Sequence, residues 1–258
     1  MNQADLIYWT TLTGILSALA TGLGAVPVHF LKTSSNLVRA FSCAIAAGMM
    51  ISASVFSLAQ EGIALQTRFP LAPYIVIAGL LLGAGFLRCT EKNFSKLNAY
   101  TYYLQRGITR RGLLILTAMF IHSIPEGIAI GVAFATGNFH FGLIMAIAIS
   151  VHNIPEGIAI SLPLKSDGVS TRNCALIAIA TSIPQPLMAV PSALLAWFFE
   201  PLLPIGLGFA GGAMIYLTIS ELIPDALQEG GKSLTAWGVM LGLTGMLFIT
   251  TLLNSIPH

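Results

Sequence analysis

Residues 139–163 read FHFGLIMAIAISVHNIPEGIAISLP, and this stretch decides the fold. Its only carboxylate is Glu156, and it exceeds the about 20 apolar residues that a helix needs to cross a bilayer. The whole chain of 258 residues has the same character, with 55% hydrophobic and 9% charged residues. Soluble domains carry about 25% charged residues. A surface so poor in charge must face lipid, so the sequence predicts an all-α, polytopic membrane protein.

Eight stretches share this length and apolar composition. They lie at about 6–31, 37–61, 70–89, 111–136, 139–163, 171–198, 202–226 and 234–254, and are called spans 1 to 8 below. The connections are short apart from a polar, basic segment at about 90–110. We therefore predict a single transmembrane domain over residues 1–258. The N-terminus lacks a basic region and a cleavage site, so it is interpreted as the start of span 1.

The basic residues predict the orientation. With the N-terminus outside and eight alternating spans, all but one of the 12 Lys and Arg residues face the cytoplasm, and Arg68 is the exception. Cytoplasmic loops are rich in Lys and Arg. We expect both termini outside, the 90–110 loop in the cytoplasm, and insertion into the inner cell membrane. The Lys and Arg residues are spread thinly, so the net charge of +2 gives no indication of nucleic acid, and no nucleic-acid partner is expected. The three cysteines form no CxxC motif, so neither a disulfide framework nor a thiolate metal site is indicated.

A faint internal symmetry relates span 2 to span 7. Shifting the sequence by 164 positions aligns Ala46 with Ala210, Gly48 with Gly212, Met50 with Met214, Ile51 with Ile215, and Glu61 with Asp225. Spans 2 and 7 run in opposite directions in the predicted topology. Inverted repeats of this kind recur in transporters.

The strongest motif occurs twice. His122-Ser-Ile-Pro-Glu126-Gly-Ile-Ala-Ile in span 4 recurs as His152-Asn-Ile-Pro-Glu156-Gly-Ile-Ala-Ile in span 5. Residues four apart share one helix face, and a short connection makes spans 4 and 5 antiparallel neighbours. Two imidazoles and two carboxylates can thus meet around one cation, and such donors suit zinc, iron, manganese or cobalt. An ionised carboxylate at a helix centre costs about 2.5–3.5 kcal/mol, which a bound cation would offset.

Proline and glycine accompany both copies of the motif. Pro125 and Pro155 lack an amide hydrogen, so they free the carbonyl groups four residues back. Gly127 and Gly157 are expected to let spans 4 and 5 approach each other closely. Proline and glycine are common in membrane helices for packing alone, but two copies with His and Glu at matched offsets favour a binding site.

These motifs resemble spans 4 and 5 of the ZIP family of divalent-metal transporters, and the AAGMM segment at 46–50 resembles span 2 of its prokaryotic-type branch. The resemblance implies that His122, Glu126, His152, Glu156 and Asn153 are ligands and that the Met50 thioether borders the site. It also implies a homodimer, inward metal transport, and an inverted repeat of spans 1–3 and 6–8 around spans 4 and 5. One helix group is expected to move against the other.

The chain departs from the family pattern at the edge of the site. Ser123 and Gln185 stand where many relatives have Asn and Glu, and Ser220-Glu221 replaces a common His-Glu pair. These residues and Glu61, near a span end, are expected in the second shell or the transport pathway. Because Gln185 supplies no charge, we expect one metal ion in the site instead of two.

The functional prediction is transport of divalent transition-metal ions, zinc first, with iron, manganese, cobalt and cadmium left open. No enzyme activity and no resident cofactor are expected. The first alternative is a membrane metalloenzyme, either an oxygenase or an intramembrane protease. A zinc protease of the common type would show HExxH, whereas Ser123 and Asn153 follow the histidines here. A proton-coupled carrier of an organic substrate is the second alternative.

Overall fold

The computed structural model describes residues 2–30, 36–94 and 110–255, with the backbone alone at 91–94, 110–115 and 117–118. The described residues are helical and contain no strand. The all-α prediction is confirmed. Most of the predicted basic loop, at 95–109, lies outside the described residues, as does Lys32.

Breaks at glycine, proline and π-helical turns divide the chain into helical segments. The α-helices are Gln3–Leu23, Ala25–Phe30, Asn36–Ala53, Gln60–Ala64, Ala72–Phe94, Arg110–Ala135, Phe139–Ser166, Thr171–Thr181, Pro184–Phe198, Leu203–Leu217 and Ile223–Asn254. Ser54–Ala59 and Thr218–Leu222 are π-helical, and Leu65–Thr67 and Glu200–Leu202 are 3-10 turns. Asn2, Asn138 and Ser170 cap helix N-termini through their side-chain oxygens.

Within residues 2–30, 36–94 and 110–255, six continuous helical stretches are long and apolar enough to cross a membrane, so the chain is a polytopic membrane protein. The last of them, Glu200–Asn254, has 55 residues and would reach about 80 Å if it were straight, against a hydrocarbon core of about 30 Å. It breaks at Gly231, where φ is 73° and ψ is 174°. Glycine adopts such a conformation without steric cost. The segment therefore consists of two helices, which correspond to predicted spans 7 and 8.

The spans pack as two groups. Spans 2 and 8 pack on each other, as do spans 3 and 7, whereas span 4 packs on span 6 and span 1 on spans 5 and 6. Glycines make these contacts close: a Cβ atom at Gly48, Gly212 or Gly131 would collide with a backbone carbonyl oxygen of the neighbouring helix. Spans 2 and 5, and spans 4 and 7, join the two groups. One group thus comprises spans 1, 4, 5 and 6, and the other comprises spans 2, 3, 7 and 8.

Four of the closely packed pairs run parallel. Gly79 of span 3 faces Ile205 of span 7, and Gly83 faces Phe209, so residue numbers rise together along both helices. The same progression occurs where span 2 meets span 8, span 4 meets span 6, and span 1 meets span 5. Each parallel pair joins two odd-numbered or two even-numbered spans.

A buried ion pair joins the start of span 2 to the end of span 7. Arg39 is only 5% exposed, and its Nε donates to the Glu229 carboxylate at 2.6 Å while a terminal nitrogen lies 3.3 Å from Asp225. At the other end of the same group, Arg68 pairs with Glu200, and about half of each side chain is exposed. The start of span 2 and the end of span 7 therefore lie at the same end of this helix group.

Candidate metal centre

The repeated motif brings three side chains of spans 4 and 5 together. Glu126, His152 and Glu156 are buried, and one ligand atom from each lies within 4.8 Å of the others. A tight turn positions them: Gly137 adopts a φ of 82°, and the Asn138 side chain caps the next helix. Span 5 thus returns antiparallel to span 4, which confirms the predicted hairpin.

The distances suit a small cation after slight side-chain movement. His152 Nε2 lies 2.8 Å from Glu126 Oε1 and 4.0 Å from Glu156 Oε1. Zinc binds nitrogen and oxygen at about 2.0–2.2 Å in a tetrahedron, so two ligands of one ion stand about 3.3 Å apart. To match this spacing, the first gap must widen by about 0.5 Å and the second must narrow by about 0.7 Å.

Several buried polar atoms of this cluster lack a hydrogen-bond partner within the described part of the chain. They are His152 Nδ1, Asn153 Oδ1 and Glu156 Oε1. A buried polar atom without a partner costs free energy, and carboxylate and amide oxygens can only accept. A bound cation would satisfy both acceptor oxygens at once. The donor set of carboxylate oxygen, amide oxygen and imidazole nitrogen fits a divalent transition metal.

An amide network fixes one side of the cluster. Gln185 Nε2 donates to Glu126 Oε2 at 2.5 Å. Asn153 Nδ2 donates to the Ser17 carbonyl oxygen at 2.9 Å and lies 3.3 Å from Gln185 Oε1. Gln185 lies just beyond the break in span 6, at the second residue of the helix that begins at Pro184. These neutral amides hold the Glu126 carboxylate in place and link spans 1, 4, 5 and 6.

Comparison with known proteins agrees with this chemistry. The family model of the ZIP zinc transporter matches residues 95–250. The chain belongs to the ZIP zinc transporter family. The zinc transporter GufA of Myxococcus xanthus is 35% identical over 234 residues, covering 88% of this chain and 92% of GufA. The zinc transporter ZIPB of Bordetella bronchiseptica is 32% identical over 265 residues, covering 95% of this chain and 82% of ZIPB.

A longer relative also matches nearly the whole chain. A protein of Arabidopsis thaliana is 38% identical over 243 residues, which are 93% of this chain but only 38% of that protein. ZIP family members are transporters and not enzymes, so the prediction of no enzyme activity is confirmed. The metalloenzyme alternative has no support among these relatives. Membership of the ZIP family supports transport of a divalent metal ion through the membrane.

Two predicted site residues, His122 and Ser123, lie in span 4 close to Glu126 in the sequence but outside the cluster of Glu126, His152 and Glu156. His122 is fully buried one helical turn before Glu126, but it does not belong to the group of three whose ligand atoms meet. Ser123 is also buried, and its hydroxyl donates to the Met119 carbonyl oxygen at 3.2 Å. The hydroxyl oxygen of Ser123 keeps acceptor capacity, but it is a weak zinc ligand.

Four predicted residues lie in the other helix group. Met50 is buried in span 2, and the Thr218 hydroxyl approaches its sulfur at 3.8 Å. Glu61 and Glu221 are half-buried, and Ser220 is exposed. Neither Glu61 nor Glu221 belongs to the described group of carboxylate and imidazole ligands.

The two motif glycines serve different contacts from those expected. A Cβ atom at Gly127 would collide with the Gln185 backbone in span 6, and one at Gly157 would collide with the Thr21 carbonyl oxygen in span 1. The prediction that these glycines let spans 4 and 5 approach each other was therefore wrong. They bring the ligand-bearing helices against spans 6 and 1 instead. The motif spacing identified the glycines but not the helices that they face.

Sequence reasoning missed Ser17, whose carbonyl and hydroxyl oxygens accept from Asn153. Span 1 places Thr10, Thr13, Ser17 and Thr21 at helical spacing, and all four are buried. Polar residues on one face of a membrane helix mark the face turned towards protein. This periodicity is the sequence signal from which the inward-facing position of Ser17 could have been predicted.

Proposed function

We propose that this chain moves divalent metal ions, zinc first, into the cytoplasm through a site between spans 4 and 5. Glu126, His152 and Glu156 are the principal ligands. These residues are buried, and one ligand atom from each lies within 4.8 Å of the others, which is the strongest support for this proposal. Two carboxylates neutralise one divalent cation, which offsets the cost of burying them in the membrane. Nitrogen and oxygen donors also accept iron, manganese, cobalt and cadmium, and selection depends on geometry and availability.

Three further residues complete the proposed site. Asn153 offers the amide oxygen that lacks a hydrogen-bond partner, and His122 is buried one turn from Glu126. Met50, buried in span 2, is proposed to border the site from the other helix group. Ser123 and Gln185 are proposed to surround the ligands. Glu61, Ser220 and Glu221 are proposed to lie along the transport pathway.

The proposed topology has eight spans with both termini outside. Four closely packed pairs of spans, 1 and 5, 2 and 8, 3 and 7, and 4 and 6, are parallel and join spans of equal parity, as eight alternating crossings require. The break at Gly231 supplies the turn between spans 7 and 8. Arg39 pairs with Glu229, which places the start of span 2 and the end of span 7 on one side. We propose the inner cell membrane as the location and residues 1–258 as one transporter domain.

The inverted repeat of spans 1–3 and 6–8 has local support. The π-helical segments Ser54–Ala59 and Thr218–Leu222 begin at positions that the 164-residue offset relates to each other. π-helical turns are rare and are found mostly at functional sites. Two of them at equivalent positions favour a common origin for spans 2 and 7.

Movement between the two helix groups is the proposed transport step. Glu126, His152, Glu156 and their amide partners all belong to spans 1, 4, 5 and 6. The other group contributes Met50 and contacts the first through spans 2 and 7. Sliding of one group along the other would expose the same ligands to each side in turn. The second group is the proposed scaffold, and the protein is proposed to work as a homodimer.

X-ray absorption at the zinc edge tests the ligand set on purified protein. We expect a first shell of nitrogen and oxygen atoms at about 2.0–2.2 Å. Glu156→Gln should lower zinc occupancy, whereas Glu200→Gln, the same change at an exposed carboxylate, should not. A shell dominated by sulfur at about 2.3 Å, or unchanged occupancy in Glu156→Gln, would contradict the proposed site.

A further inference from the structure

An apolar crevice of about 680 Å³ lies between the two helix groups. Spans 3 and 7 form one wall with residues such as Phe86 and Phe209, and spans 4 and 6 form the other with residues such as Ile128 and Leu195. Cys89 and Ser192 are its only lining residues with a polar side-chain atom. The Ser192 hydroxyl is satisfied by the Met188 carbonyl oxygen at 2.7 Å.

The position of the crevice excludes water as a stable occupant. Its span 3 residues lie within the membrane-crossing segment Ala72–Thr90. Leu81 is 71% exposed and Leu195 is 56% exposed, so the crevice opens sideways from the helix bundle. A bound water needs two to four polar partners, and this lining offers almost none. The medium that surrounds the opening at this depth consists of lipid acyl chains.

One end of the crevice provides a positive charge. Arg88 follows Gly85 by three residues and Leu81 by seven, so it lies on the helix face that lines the crevice. Its side chain is exposed, and no described carboxylate forms an ion pair with it. Arg88 stands two residues before the end of the apolar segment Ala72–Thr90, and the end of a membrane-crossing segment is where lipid phosphates are found. Basic pockets between membrane helices bind anionic head groups in this way.

We propose that the crevice binds an acyl chain of an anionic phospholipid whose phosphate contacts Arg88. In the proposed orientation, this lipid belongs to the cytoplasmic leaflet. The bound chain contacts both helix groups, and Ile128 of the crevice follows the ligand Glu126 by two residues on the same helix. Occupancy of the crevice therefore links membrane composition to the relative position of the two groups.

Two glycines provide a matched pair of variants. Gly85 lines the crevice, and a Cβ atom there meets no other atom within 4 Å. Gly85→Leu should therefore fill the crevice without an internal collision. Gly245 in span 8 has equally open surroundings but lies outside the crevice, so Gly245→Leu is the control. Arg88→Gln removes the charge, and Arg172→Gln is the control at another exposed arginine.

The test uses vesicles of phosphatidylcholine that contain a trace of a probe lipid with a photoreactive acyl chain. The probe is either phosphatidylglycerol or phosphatidylcholine, and mass spectrometry maps its adducts. We expect adducts at Ile128, Leu195 and Phe209, about fivefold more frequent with the anionic probe, the equivalent of about 1 kcal/mol for one basic residue. Gly85→Leu should abolish these adducts, Arg88→Gln should remove only the head-group preference, and both controls should match the natural protein.

Three results would overturn the proposal. Crevice adducts no more frequent than those at Phe248, a 67% exposed residue of span 8, would show ordinary lipid contact only. Equal adducts from both probes would exclude a role for Arg88. Protein-to-protein crosslinks at the crevice would show that a second copy covers it. The assay needs no zinc, so its outcome is independent of the proposed transport.

Discussion

The amide of Gln185 provides the sharpest test of how charge is balanced in the metal site. Its nitrogen donates to Glu126 Oε2 at 2.5 Å, so Gln185→Glu replaces a donor with a second carboxylate. Two unit charges about 4 Å apart repel by about 4 kcal/mol at an effective dielectric near 20. Proton uptake relieves part of this repulsion, so about 4 kcal/mol is the upper value for the loss of stability without metal. A bound divalent cation relieves this repulsion as well. The variant site then contains three carboxylates instead of two.

Thermal unfolding of the purified protein in detergent measures this balance. With a chelator, the Gln185→Glu variant should unfold at a lower temperature than the natural protein. Zinc should raise the melting temperature of the variant by more than it raises that of the natural protein. The natural site should bind one zinc ion, and the double variant Gln185→Glu with Ser123→Asn should bind two, as measured by elemental analysis. Gln185→Met is the control, because it removes the amide without adding charge and should gain no extra response to zinc. Two ions in the natural cluster, or a Gln185→Glu variant with unchanged stability and zinc response, would refute the reasoning.

Three other predictions concern stability, packing and topology. Arg39→Gln leaves a buried carboxylate without its partner and should cost about 3–5 kcal/mol of unfolding free energy, whereas Arg68→Gln at an exposed pair should cost at most about 1 kcal/mol; equal melting temperatures would contradict this. Gly157→Ala forces a methyl group onto a backbone carbonyl of span 1, and it should weaken zinc binding by about 10–100-fold in titration; unchanged affinity would count against the packing described. Single cysteines at Ser95 and Asn138, in a chain without its natural cysteines, should be labelled from opposite sides of the membrane, and labelling from one side would disprove the span count.

Local patterns predicted the parts of this protein that depend on local geometry. Low charge and long apolar runs require lipid-facing helices whatever their arrangement. His152 and Glu156 share a helix face because four residues complete about one turn. The short connection after span 4 requires a hairpin, so Glu126 was expected beside them. These three residues form the metal-ligand group of the structure.

Contacts between distant helices could not be predicted in the same way. The apolar residues of a membrane helix differ little from one another, so the sequence does not specify which helix Gly127 or Gly157 faces. The partnership of Arg39 with Glu229 joins residues 190 positions apart, and neither residue has a motif. Ser17 was missed because its backbone carbonyl oxygen, which any residue type possesses, makes the shorter contact with Asn153.

Zinc uptake into proteoliposomes tests the central claim most directly. The natural protein, Glu156→Gln and Glu200→Gln are reconstituted in equal amounts, and radioactive zinc is counted inside the vesicles after short intervals. Loss of a charged ligand from the buried cluster should lower the initial rate of Glu156→Gln by at least about tenfold, equivalent to about 1.4 kcal/mol of binding free energy. Glu200→Gln should transport at the natural rate. Equal uptake by Glu156→Gln and the natural protein would contradict the assignment of the ion to the cluster of Glu126, His152 and Glu156.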